Sequence, residues 1–242
     1  EMVYRVDQGV FRRFCEEAAK NPGEKYVFII DEINRGNVSK IFGEMITLIE
    51  PTKRIGQAEA ATVKLAYSQE AFGVPENVYI LGTMNTADRS IAMLDSALRR
   101  RFDFIEMMPN PDLLDGVVVE GVDIKQLMLK INKRIEILCD RDHTIGHAYF
   151  MQLRQRPTLA VLAHIFKNSI VPLLQEYFYD DYEKIRLVLG DSNKEENEQF
   201  VRATAVDYAQ IFGSQAELYL ENDEVYSINN AAFANINAYL KI

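Results

Sequence analysis

The run Lys25-Tyr26-Val27-Phe28-Ile29-Ile30, closed by Asp31-Glu32, constrains this chain more than any other stretch. A near-continuous apolar run of this length suits a strand covered on both faces, as in a parallel sheet. A second such run covers Asn77-Val78-Tyr79-Ile80-Leu81-Gly82-Thr83, and a third strand is expected from Phe102 to Met107. Helical patterns and polar loops separate them, so the alternation predicts an α/β core with a parallel sheet. In open sheets of that kind, ligands bind beyond the carboxyl ends of the strands. Asp31 and Glu32 stand at such an end.

The segments around these strands read as follows. A helix is expected over roughly Gly9 to Lys20, then a turn at Asn21-Pro22-Gly23. A second helix, about Val38 to Ile49, places Ile41, Met45, Leu48 and Ile49 on one stripe before Pro51 ends it. Residues 51–75 read as a hairpin-like insertion, with Val63 to Tyr67 alternating as a half-exposed strand does. A polar loop, Asn85 to Ser90, leads to a short helix from Ile91 to Arg100. From Pro109 helices dominate: Ile124 to Cys139, Thr158 to Tyr177 and Tyr182 to Leu189. Pro172 should kink or break the middle one, because it lacks an N–H. The polar stretch Gly190 to Gln199 opens a small α+β tail. The expected division is therefore 1–108, a core; 109–192, a helical segment; and 193–242, the tail.

Charge and cysteine content narrow the function. The net charge of −9 opposes a main nucleic-acid-reading surface, since Lys and Arg on phosphates drive such binding. Two cysteines far apart, Cys15 and Cys139, give no disulfide framework, and a reducing cytoplasm is the expected compartment. Three scattered histidines predict no metal cluster. No apolar run approaches the roughly eighteen residues of a membrane span, so no membrane partner is expected.

Three groups of residues carry chemistry. Asp31 is placed to hold a Mg²⁺ shell through water, and Glu32 to orient and polarise an attacking water. The bland alternative is a pair of solvated acids at a helix start. Asn85, just past the second strand, offers a donor and an acceptor suited to sensing a γ-phosphate, or else closes an ordinary Asx turn. Arg99-Arg100-Arg101 ends the short helix. Three consecutive arginines compensate a helix dipole, but they cannot share one face. An exposed planar guanidinium among them suits a neighbouring subunit's phosphate.

Together the three groups resemble the AAA+ set of Walker B, sensor 1 and trans-acting arginines. The wording is closer to one branch of it. Phe28-Ile-Ile-Asp-Glu-Ile-Asn-Arg-Gly36, Met84-Asn-Thr-Ala-Asp-Arg-Ser90 and Ala97-Leu-Arg-Arg-Arg-Phe102 look like the McrB family. Ile145-Gly-His-Ala-Tyr-Phe150, Val171-Pro-Leu-Leu-Gln-Glu-Tyr-Phe178 and Leu189-Gly-Asp-Ser192 resemble that family's helical lid. The likeness runs to about Ser192 and weakens in the tail.

The resemblance implies the GTP-hydrolysing motor subunit of a modification-dependent DNA restriction system. It implies a ring, expected to be a hexamer, a partner endonuclease of the McrC type, and modified DNA held by a separate N-terminal domain. By position, Asp31 and Glu32 take the Walker B roles and Asn85 the sensor role. Arg100 and Arg101 become the trans arginines, with Arg99 packed. Asp88 and Arg89 belong to the family loop and would help orient the nucleotide site or contact a neighbour, and His147 in the lid would either contact nucleotide or serve a structural role. Two rivals remain open: an ATP-driven remodeller of the MoxR type, and a non-hydrolysing assembly module.

One departure stands out. A phosphate-binding loop needs Gly-Lys in its motif, and no Gly-Lys dipeptide occurs in the chain. The chain is therefore expected to be a fragment beginning after Walker A, inactive alone and poor at binding nucleotide. In the family's sheet order the missing first strand would lie between the second and third strands read here. That predicts a rearranged sheet or a slot filled by a partner segment.

Overall fold

The computed structural model describes residues 7–87, 96–207, 211 and 224–242. The chain forms two compact units, Glu1–Glu106 and Met107–Ile242.

The first unit is built from α1 (Val10–Lys20), β1 (Tyr26–Ile30), α2 (Val38–Phe42), β2 (Val63–Lys64), β3 (Ala71–Phe72), β4 (Val78–Gly82) and α3 (Ser96–Arg99). β1 and β4 pair in parallel, from Tyr26 opposite Val78 to Ile30 opposite Gly82. β2 and β3 pair antiparallel, so the expected hairpin insertion is present within the crossover. In α1, Phe11, Phe14, Cys15 and Ala18 recur at helical spacing and face the sheet. The rings of Phe11 and Phe14 meet Phe28 edge-on at 5.1 and 5.2 Å. Asn77 fixes the approach to β4: its buried side-chain amide donates to the carbonyls of Ala18, Asn21 and Glu24. The buried Arg54 does the same for the other side, donating to the carbonyls of Ile49 and Val78.

Three elements differ from those the sequence pattern predicts. The helix over Val38–Ile49 is two pieces. Asn37 caps α2 through Lys40 N–H, but Gly43 takes φ +49° and the chain continues as 3₁₀ over Gly43–Ile49. The tighter winding shifts the register, so Leu48 and Ile49 are buried while Ile41 is exposed. The β1 run is covered on one face rather than two among the described residues. Tyr26, Phe28 and Ile30 pack inward, whereas Val27 (51% exposed) and Ile29 (63%) face outward beside Tyr79 and Leu81. Phe102–Met107 is not a strand: the sheet holds β1 and β4, and this segment joins no ladder. An apolar sequence favours a strand only where a neighbour supplies the hydrogen bonds, and Phe104, Ile105 and Met107 are exposed. Of the short helix expected over Ile91–Arg100, Ser96–Arg99 is helical and 91–95 lie outside the described residues.

The second unit comprises β5 (Val118–Val119), β6 (Val122–Asp123), α4 (Ile124–Leu138), α5 (Leu159–Ile165), α6 (Val171–Tyr177), α7 (Tyr182–Leu189), β7 (Val201–Ala205), β8 (Glu224–Ile228) and α8 (Ile236–Leu240). Side chains of Asp123, Thr158 and Asp181 cap α4, α5 and α7, each accepting a backbone N–H from the first turn. Gly190 closes α7 in the left-handed region at φ +74°. Pro172 does not interrupt the helical run as a break. A π-helical turn, Phe166–Ile170, joins α5 to α6 just before it and absorbs the proline's missing donor.

Phe200, Val201, Phe233, Ala238 and Tyr239 of the C-terminal stretch pack into the same core as the helices. Phe166, Phe200 and Tyr239 meet pairwise with centroids 4.9, 5.0 and 5.6 Å apart. Beneath them lies a fully buried ion pair. Lys194 Nζ reaches Asp191 at 3.0 Å and the Leu189 carbonyl at 2.7 Å, and Asp191 accepts the Val201 N–H at 2.8 Å. Burial lowers the Lys194 pKa and the Asp191 charge opposes that.

Candidate active site

The parallel register that sets Ile30 opposite Gly82 brings the ends of β1 and β4 to one height. Asp31 and Glu32 leave one strand there, and Thr83, Met84 and Asn85 leave the other. Thr83 N–H donates to the Ile30 carbonyl at 3.0 Å, and Ile33 N–H donates to the Thr83 carbonyl at 2.8 Å. The ladder thus continues one step past the sheet and locks the two tips together.

The Thr83 hydroxyl lies at the centre of this arrangement. It accepts the Glu32 N–H at 3.0 Å and donates to the Asp31 carboxylate through a short contact. Glu32 itself sits in the left-handed region, φ +50° and ψ +48°. A non-glycine residue held there costs roughly 1–3 kcal/mol, and such strain concentrates at functional positions. Here it is imposed by the Thr83 tether on one side and the Ile33 side chain on the other. Ile33 is buried in a cluster with Val38, Phe42, Ile49 and Leu98. It packs so closely on Gly82 that a Cβ added there would lie 3.0 Å from its Cδ1. The Glu32 carboxylate meets Arg35 Nε at 2.6 Å, both half exposed.

Asn34 Nδ2 donates to the Asn85 carbonyl at 3.1 Å, so the two tips are also tied one residue further out. The Asn85 side chain closes a turn by accepting the Ala87 N–H at 3.1 Å. Its carbonyl oxygen is therefore engaged locally, and its Nδ2 remains as the donor. The acids, Thr83 and Asn85 are all exposed, as groups awaiting a polar ligand must be. A cleft of about 840 Å³ opens nearby, lined by Phe28, Ile30, Asp31, Phe42 and Glu44 among others. It shares only Asp31 with this cluster.

The arginines separate by environment. Leu98, buried in the cluster with Ile33, anchors α3 and so fixes the run relative to the acids. Arg101 is 13% exposed and its Nη2 lies 2.8 Å from Glu50. Arg99, expected to pack, is instead exposed, with its guanidinium 5.8 Å from the Phe104 ring. Arg100 is exposed.

Two sequence profiles match the chain. The AAA domain of the dynein-related subfamily matches residues 1–102, and the McrB alpha-helical lid domain matches residues 123–186. One relative, the type IV methyl-directed restriction enzyme EcoKMcrB subunit of Escherichia coli (strain K12), is 42% identical across 78% of this chain and 45% of its own length. The chain belongs to the McrB family. A second relative, the type II restriction enzyme BsuMI component YdiS of Bacillus subtilis (strain 168), is 25% identical across 72% of the chain and 54% of its own length. The chain spans about half the length of these relatives.

As a McrB-family AAA+ core with its helical lid, the chain is α/β, and each profile falls within one of the two units. Asp88 and Arg89 of the family loop lie outside the described residues. In the lid, His147 is half-buried and its Nδ1 accepts the Asn110 N–H at 3.0 Å. That bond places the ring proton on Nε2. Thr83 is the residue that reading the sequence missed as a site member. The available signal was a hydroxyl one residue past the second strand, at the height where the first strand presents its acids. Among the described residues no helix is long and apolar enough to cross a membrane.

Proposed function

We propose that this chain is the hydrolytic portion of a GTP-driven, ring-forming AAA+ motor subunit of a modification-dependent DNA restriction system. The observation that carries the proposal is the Thr83-centred cluster, which joins Asp31, Glu32 and Asn85 at the tips of two parallel strands. An exposed carboxylate beside a hydroxyl supplies hard oxygen groups that suit a hydrated Mg²⁺ shell. The bound Mg²⁺–nucleotide would contribute charge neutralisation of the phosphates. Asp31 would hold that shell through water. Glu32, fixed by its backbone bond to Thr83, would orient the attacking water and accept its proton. Asn85 would donate through Nδ2 to the γ-phosphate. Arg100 would reach the phosphate of the neighbouring subunit, whereas Arg101 supports the fold of its own. His147, Asp88 and Arg89 are assigned to nucleotide contact from the lid and loop. Nucleotide binding would also need a phosphate-binding loop, so the chain alone would bind weakly and turn nothing over. The ring would be a hexamer working in the cytoplasm with a McrC-type endonuclease, and a separate N-terminal domain would hold the modified DNA.

Hydrolysis of GTP and ATP by the full-length protein tests this. GTP turnover abolished by Glu32→Gln is the expected result. Mixing Glu32→Gln with Arg100→Ala subunits should restore part of that turnover, because some interfaces then regain both groups. ATP preference would replace the motor by a remodeller of the MoxR type, and turnover surviving Glu32→Gln would overturn the assignment of the acids.

A further inference from the structure

The end of α4 gathers three side chains that the nucleotide site does not use. Cys139, Asp140 and His143 bring a thiol, a carboxylate and an imidazole together, with one potential ligand atom from each lying within 4.8 Å of the others. We propose that Cys139, Asp140 and His143 form a binding site for a borderline-soft divalent cation, Zn²⁺ by its chemistry, that fastens the α4 terminus.

The local backbone prepares the site. Cys139 follows the last helical residue, with φ −130° and ψ −93°, which turns the chain away from the helix axis. Asp140 then organises the turn: its Oδ1 accepts the N–H groups of Asp142 and His143 at 3.0 and 3.2 Å. His143 Nδ1 lies 2.6 Å from the same oxygen. The imidazole is buried and held edge-on against the Tyr177 ring of α6 at 4.7 Å. Asp140 and His143 are thus positioned by the turn, and the five residues Cys139 to His143 would close the chelate.

Distances and softness select the ion. Zn–S and Zn–N bonds near 2.3 and 2.0 Å in a tetrahedron set ligand atoms about 3.5 Å apart. The three ligand atoms lie within 4.8 Å of one another, and on binding the 2.6 Å Asp140–His143 contact would open to that spacing, its hydrogen bond exchanged for bonds to the metal. A thiolate with an imidazole and one carboxylate favours zinc over magnesium or calcium, which take all-oxygen shells. Water would complete the fourth position. Binding forms a metal–sulfur bond and sends the thiol proton to solvent, with no change in oxidation state. Lys184 is paired with Asp181 at 2.9 Å.

The test is titration of the metal-free, reduced chain with Co²⁺, followed by displacement with Zn²⁺. A thiolate-to-cobalt charge-transfer band saturating at one ion per chain is expected, and Zn²⁺ should abolish it. The band should vanish in Cys139→Ser and bind at least about tenfold more weakly in His143→Asn. Cys15→Ser and Asp31→Asn should leave it unchanged, which separates this site from the nucleotide site. A second measurement needs no variant: Zn²⁺ should slow alkylation of Cys139 in the unchanged chain, read by mass spectrometry. Absence of the band, its survival in Cys139→Ser, or alkylation at the same rate with and without Zn²⁺ would overturn the proposal. The Asp140–His143 contact would then be a turn-stabilising pair.

Discussion

Replacing Thr83 by valine removes one oxygen and keeps the β-branched shape that suits a strand end. The backbone bonds of Thr83 to Ile30 and Ile33 survive, so the β1–β4 pairing persists. What disappears is the hydroxyl that accepts the Glu32 N–H and donates to Asp31. A net hydrogen bond contributes about 0.5–1.5 kcal/mol, and water can replace part of it at an exposed site. The expected loss of global stability is therefore below about 1 kcal/mol, read as a small fall in the urea midpoint. The local consequence is larger. Glu32 is held at φ +50° against a backbone penalty of roughly 1–3 kcal/mol, comparable to the tether that is lost. Release of about 1.4–2.8 kcal/mol of positioning lowers the rate about 10- to 100-fold. Steady-state hydrolysis by the full-length protein should show that fall in kcat with KM changed less than about threefold, the pattern of a lost transition-state interaction. Thr83→Ser restores the hydroxyl and should recover most of the rate. A valine variant with unchanged kcat, or a serine variant as slow as valine, would refute the tether.

Gly82→Ala places a Cβ 3.0 Å from Ile33 Cδ1 and 3.2 Å from its Cγ2. Thermal melting should show a loss of about 1 kcal/mol, the low end of overpacking because a side-chain methyl can yield, and an undiminished melting point would show that Ile33 moves freely. Arg54→Met leaves the Ile49 and Val78 carbonyls without their buried donors, which should cost about 2–4 kcal/mol in urea unfolding; a loss within about 0.5 kcal/mol would mean that water satisfies them. Burial raises the Cys15 thiol from 9.0 to about 12, with Arg54 acting in the opposite direction. A raised pKa contributes stability that is complete below the unfolded value and lost as pH climbs, so part of the stability should disappear between pH 9 and 12, and Cys15→Ala should flatten that stretch of the profile. An identical slope in the variant would show that Cys15 does not contribute.

Local pattern alone determined a good deal of this protein. The apolar runs at 25–30 and 77–83 fold as β1 and β4, because a short apolar run bounded by turn residues is a signal complete within a few positions. The periodic stretches 124–139 and 182–189 fold as α4 and α7, with their capping residues present in the chain itself. The pairing of Asp31-Glu32 with Asn85 was legible for the same reason: each group directly follows a readable strand. Tertiary structure decided the rest. Thr83 became the link between the acids only through the register of two strands separated by a long crossover. Arg101 turned inward because Glu50, remote in sequence, stands beside it, while nothing in three consecutive arginines distinguishes one from the next. Phe102–Met107 has strand composition but no ladder, since a strand is completed by its neighbour rather than by its own residues. Cys139 and His143 looked like scattered residues until the turn centred on Asp140 folded them toward one point. Sequence periodicity fixes which face a residue takes within its own element; which remote groups meet depends on register and packing, which no local window contains.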